Sequence, residues 1–217
     1  MKILFQGDRI TDAGRSRTNL NDLGPGYPAY AAALITETFP QLEFTFTNRG
    51  ISGNRTEHLV QRLQADFIDL QPDLVIMMIG VNDVWHHYSH NIETTDEAFE
   101  ANLRHVLSEI KAKTPAKIVM IEPYLLPAED KLHMLPELHA KIRIERALAR
   151  EFADAYVPLD GLLAAACVNE CYTKYSPDGV HPNADGARLI ANHVIAAAIP
   201  FLEDSASVED AYTEQAN

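Results

Sequence analysis

Residues 74–83 read LVIMMIGVND, and the stretch Leu74 to Ile79 is apolar without a break. A run this short, ended by Gly80, suits a strand buried on both faces better than a helix. Such a strand needs cover above and below, which a parallel α/β sheet provides. Outward from it, short apolar runs at 2–6 (KILFQ), 43–47 (EFTFT), 117–121 (KIVMI) and 155–158 (AYVP) read as further strands. Helical spacing fills the intervals over 28–38, 56–70, 95–113, 136–152 and 184–201, for example Leu59, Leu63 and Phe67, or Phe99, Leu103, Val106, Leu107 and Ile110. Strand and helix alternate, so the predicted fold is a three-layer α/β/α domain. Its five-stranded parallel sheet takes the flavodoxin-like order 2-1-3-4-5.

The 217 residues are enough for one domain, expected over 1–203, with a substantial core. Net charge is −13, which should repel phosphate backbones and anionic lipid, so neither nucleic acid nor membrane is an expected partner. Too few apolar residues follow Met1-Lys2 for a signal peptide, and no run is long enough to span a bilayer; a cytoplasmic location is expected. Cys167 and Cys171 lie four apart, a spacing open to a disulfide or a metal pair. Free thiols fit a cytosolic protein best. The acidic stretch 204–217 reads as a frayed end, with a homo-oligomer arm as the other reading.

A doubly wound sheet brings the loops after its first three strands together at the carboxyl edge. Here they are Gly7-Asp8-Arg9-Ile10-Thr11-Asp12, Asn48-Arg49-Gly50-Ile51-Ser52-Gly53-Asn54 and Gly80-Val81-Asn82-Asp83. Each combines glycine with short polar side chains, and three such loops at one edge outweigh the plain turn reading of any one. A fourth loop, Ser176-Pro177-Asp178-Gly179-Val180-His181-Pro182-Asn183, precedes the last helix. Asn183 suits its N-cap, and Asp178 can orient His181 as a general base.

GDRIT, NRGISGN, GVND and DGVHPN, in this order and spacing, resemble the four sequence blocks of the SGNH (GDSL-like) hydrolases, from residue 2 to about 200. The resemblance implies an ester hydrolase (lipase/acylhydrolase class). His181 would be its general base, Asp178 the carboxylate that orients it, and Gly53 N–H with the Asn82 amide its oxyanion hole. Asp8 would shape the loop before the nucleophile. The opening FQGDRITDAGR looks most like the small acetylesterase-type members, some of which deacetylate sugars, so a small-molecule ester is the expected substrate. Trp85 and Tyr88, in what reads as a loop over the pocket, are expected to line it or stack on a sugar ring. The segment Asn19–Gly26 is a second candidate wall. His86, His87 and His90 lack a completing ligand at clear spacing, and no phosphate-binding glycine pattern occurs, so neither metal nor cofactor is expected.

The nucleophilic serine of the family falls on Arg9. A guanidinium stays protonated and offers no lone pair, so it cannot attack a carbonyl. Three readings follow. The chain is an ester hydrolase by descent, disabled by a change that one base of a serine codon can make. It is a non-catalytic relative that binds a small anion through Arg9, Asn82 and Gly53. Or it uses another nucleophile: a water activated by His181, or Thr11, Ser16 or Ser52.

Overall fold

The computed structural model describes residues 1–19 and 21–215, with side chains described to Ser205. Five parallel strands form one sheet: β1 (Lys2–Gly7), β2 (Thr45–Asn48), β3 (Leu74–Met78), β4 (Lys117–Ile121) and β5 (Ala155–Val157). Their order is β2-β1-β3-β4-β5, as the alternating pattern predicts. β3 lies between β1 and β4 in register, with Phe5 opposite Ile76 and Ile76 opposite Val119. Its side chains alternate: Leu74, Ile76 and Met78 enter one apolar core, and Val75, Met77 and Ile79 the other. That is the physical reason the run in the sequence has no polar break.

Eight α-helices surround the sheet among the described residues: α1 (Arg9–Asp12), α2 (Tyr27–Thr38), α3 (Thr56–Gln61), α4 (Val81–His90), α5 (Asp96–Lys113), α6 (Leu135–Phe152), α7 (Leu159–Ala166) and α8 (Ala184–Gln215). α2 packs on α8 across one face, and α3 on α5 across the other. α5 forms because Phe99, Leu103, Val106, Leu107 and Ile110 make one buried stripe, and Thr95 caps it by accepting the Ala98 N–H.

Four elements differ from the sequence expectation. The helix expected over 56–70 is α3 followed by a π-type turn at Gln64–Ile68. Residues 81–90, expected as a loop, are helix α4. Val81 and Val84 anchor it in the core, and Asn91, in the left-handed conformation at φ 54°, ends it. α7 was not anticipated, and because it ends at Ala166 the free Cys167 and Cys171 do not share a helix face. α8 does not stop near Phe201. Leu202, fully buried one turn beyond Ala198, keeps it seated past Pro200, and it continues to Gln215. Ala216 and Asn217, at the end of the expected tail, lie outside the described residues. No helix among the described residues is long and apolar enough to cross a membrane.

Candidate active site

The first loop turns sharply off β1. A side chain at Gly7 would place its Cβ 2.1 Å from the Met78 carbonyl oxygen, so only glycine fits where the two strands end together. Asp8 is buried and caps α1, its Oδ1 accepting the Ile10 N–H at 2.9 Å. Burial, with the charges of Asp83 and Asp12 behind it, pushes this carboxyl up to about 7 against the pull of the Ile10 N–H. The expected loop-shaping residue is thus the N-cap. Arg9 begins α1 and is exposed; its guanidinium makes no hydrogen bond or ion pair among the described residues. Thr11 faces inward, its Oγ1 3.0 Å from the Tyr27 hydroxyl. Ser16 is held by Thr18 at 3.1 Å.

The second loop is tied to the first by Asn48. Its Nδ2 donates to the Thr11 carbonyl at 2.7 Å and to the Leu23 carbonyl at 2.8 Å, while its Oδ1 accepts the Gly50 N–H. Gly53 adopts φ +80°, a left-handed conformation that suits glycine, and its N–H donates to no acceptor among the described residues. The third loop enters α4, where Asn82 Nδ2 donates to the Asn54 carbonyl at 3.1 Å and keeps its second hydrogen free. Asp83 is buried beside it and accepts the Thr56 hydroxyl at 2.6 Å. Burial pushes Asp83 up to about 6.

One residue that sequence reasoning missed spans these loops. Arg62, largely buried, donates to Asn54 Oδ1 at 2.9 Å, the Arg49 carbonyl at 2.8 Å and the Gly7 carbonyl at 3.3 Å, and pairs with Asp66 at 2.8 Å. Its spacing to Asp66 was the only sequence signal, and it reads as an ordinary helix-surface pair.

The fourth loop holds the proton-transfer pair. His181 Nδ1 lies 2.6 Å from Asp178 Oδ2, and Asp178 Oδ1 accepts the His181 and Val180 N–H groups at 2.8 and 3.0 Å. Burial raises the Asp178 carboxyl, but these donors outweigh it and hold the pKa at about 2. An ionised Asp178 only accepts, so Nδ1 carries the proton and Nε2 is left as the base. Asn183 caps α8 as expected, its Oδ1 accepting the Asp185 and Gly186 N–H groups.

Arg9, Gly53, Asn82, Trp85 and His181 line one cavity of about 230 Å3, together with Ser52, His86, Ser89 and His90. A second cavity of about 330 Å3 shares Arg9, Ser52 and His181 and adds Asp12, Gly14 and Pro25, the last from the expected second wall. Leu20 of that wall lies outside the described residues. The Trp85 ring stands 5.6 Å from the His181 ring, with Lys131 Nζ 5.7 Å from its own centre. Tyr88 is a correction: its ring packs edge-on against His133 and lines neither cavity. The cavity is lined from α4 by positions 82, 85, 86, 89 and 90, and position 88, though a neighbour of 85, lies on the far flank of that face. His87 is likewise turned away, 2.9 Å from Glu137, whereas His86 and His90 face the small cavity with rings 4.8 Å apart.

A sequence profile described as the GDSL-like Lipase/Acylhydrolase family matches residues 5–189. An acetylxylan esterase from Geobacillus stearothermophilus is 32% identical over 203 residues, covering 88% of this chain and 90% of that protein. A crystal structure described as a GDSL-like lipase from Parabacteroides merdae superposes with a TM-score of 0.86 at 36% identity, covering 90% of this chain and 94% of that one. The crystal structure of the acetylxylan esterase Axe2 from Geobacillus stearothermophilus gives 0.84 at 29% identity, covering 90% and 93%. Two more Axe2 structures are of catalytic mutants, one replacing a serine by alanine and one a histidine by alanine.

Proposed function

The chain belongs to the GDSL-like lipase/acylhydrolase family, and from that premise we propose that its site is a carboxylic ester hydrolase site for a short acyl group, such as acetyl on a sugar, with an arginine where the attacking hydroxyl is required. The observation that carries this reading is the 2.6 Å contact of His181 with Asp178 at a cavity that also receives Gly53 and Asn82. The small cavity suits a short acyl chain, and the Trp85 face beside His181 suits a sugar ring.

With serine at position 9 the chemistry follows from this geometry. The hydroxyl gives its proton to His181 Nε2 as its oxygen bonds to the ester carbonyl carbon. The carbonyl oxygen becomes an oxyanion facing the Gly53 N–H, the free Asn82 amide hydrogen and the N–H of residue 9. The C–O bond to the alcohol then breaks, and His181 returns the proton to the departing oxygen. Water repeats the sequence to release the acid. Arg9 supplies neither the oxygen nor the lone pair, so the chain as it stands lacks this covalent route.

The test is hydrolysis of p-nitrophenyl acetate by the chain, by Arg9→Ser and by Arg9→Ser/His181→Ala. Arg9→Ser is expected to exceed the other two by about 10^3-fold or more, since loss of a triad member leaves only binding and oxyanion stabilisation. Equal rates in all three, or turnover by the unaltered chain that His181→Ala abolishes, would sink the reading. In the second case Ser52, exposed on both cavities, or an activated water is the nucleophile.

A further inference from the structure

We infer that the unaltered site binds a small monocarboxylate, acetate being the simplest, between the Arg9 guanidinium and the amide donors of Gly53 and Asn82. This rests on the reading of Gly53 and Asn82 as oxyanion donors given above, and extends it to the protein that carries arginine.

Three observations converge. The Arg9 guanidinium has no partner among the described residues, though the chain has 31 acidic residues to offer. Arg9 lines the same cavity as Gly53 and Asn82, and among the described residues the Gly53 N–H has no acceptor and the Asn82 amide uses one of its two hydrogens. An Arg fork sharing a cavity with amide donors is matched by a planar carboxylate, which accepts two parallel bonds from the guanidinium and more on its other lone pairs. A carboxylate is also the acid that ester hydrolysis leaves facing those donors. The surroundings select single charge. The ionised Asp178 stands behind His181, and Asp12, only 4% exposed, lines the adjoining cavity, so a second negative charge on the ligand meets repulsion. Arg17 at 2.6 Å and the Ser52 N–H at 2.8 Å both hold Asp12 Oδ2, while Oδ1 is buried without a hydrogen-bond partner among the described residues, so Asp12 keeps a negative charge beside the ligand position and makes no hydrogen bond or ion pair with Arg9.

The chain has a single tryptophan, and it lines this cavity, so its fluorescence reports on the site alone. Sodium acetate would be titrated against sodium chloride at constant ionic strength. Trp85 emission would be followed beside the 15N–1H signals of the Arg9 and Gly53 amides and the Asn82 side chain. Saturable shifts of these signals by acetate are expected, with affinity weakened by about tenfold or more in Arg9→Gln. No saturable shift in either readout overturns the inference. So does equal binding by Arg9→Gln, the same response to chloride alone, or tighter binding of inorganic phosphate. Arg9→Ser keeps the two proposals apart. An inactive Arg9→Ser beside acetate binding by the unaltered chain defeats the hydrolase reading alone. An active one beside no acetate binding defeats this inference alone.

Discussion

At the scale of single residues, Asp178 concentrates the site's electrostatics in one side chain. One carboxylate oxygen accepts a hydrogen bond from the His181 Nδ1–H, and the other accepts the backbone N–H groups of residues 180 and 181. The loop and the base are therefore positioned by the same group. Asp178→Asn keeps an acceptor toward the backbone but loses the charge that fixes the imidazole tautomer. In the Arg9→Ser background kcat is expected to fall by about 10^3–10^4 with KM little changed, read by initial rates on p-nitrophenyl acetate. Both residues were legible as a pair from their spacing. The exposure of the Arg9 side chain was not, because whether a long cation folds inward depends on free carboxylates supplied by other loops.

Between elements, the site depends on side chains that tie loops to one another. Arg62 reaches from the end of α3 to carbonyls in the first and second loops, and Asn48 joins the same two from the other side. Removing the Arg62 guanidinium leaves those carbonyls and Asp66 with unmatched, partly buried charge. Arg62→Met should lower stability by about 2–4 kcal/mol, measured as the urea midpoint at constant m-value. In an active Arg9→Ser background it should also reduce kcat, since Gly53 sits on the loop it holds. An unchanged midpoint would mean that Asn48 suffices. The sequence marks both residues only as polar positions near glycine. α4 was legible and is easily passed over: Val81, Val84, Trp85 and Tyr88 fall at helical spacing, but the segment follows Gly80 and is otherwise polar, so it reads as a loop until Val84 is seen in the core and Asp83 bonded to Thr56.

Across the whole molecule, parallel strands gather loops from residues 7 to 181 at one sheet edge and bury carboxylates beneath them. Asp8 and Asp83 hold their protons to about 7 and about 6 because burial penalises the charged forms, and buried Glu145 is pushed up for the same reason. In the unfolded chain such groups titrate near 4. Between those values the folded state binds more protons than the unfolded one, so this contribution to stability is full below about pH 4 and is lost as pH rises toward 7. Asp8→Asn retains the oxygen that caps Ile10 and removes the titration. The stability of the unaltered chain relative to Asp8→Asn should therefore fall by about 1.4 kcal/mol per pH unit between pH 4 and 7. Urea midpoints of the two proteins across pH 4–8 check it; parallel curves would place the Asp8 titration elsewhere. Asp178 acts in the opposite sense, its contribution being present above about pH 4 and lost as pH falls toward 2.

The sequence by itself determined the five strands, their order and the residues at the carboxyl edge. These rest on short-range signals: an unbroken apolar run, glycines at strand ends and an Asp–His pair three apart. The tertiary structure alone decided which polar residues meet. It turned Trp85 toward His181 and Tyr88 away, buried Thr11 against Tyr27, and left Arg9 on two cavities without a partner among the described residues. Contacts of that kind join residues distant in the chain, and no local periodicity encodes them; they follow from how the loops pack once the sheet has formed.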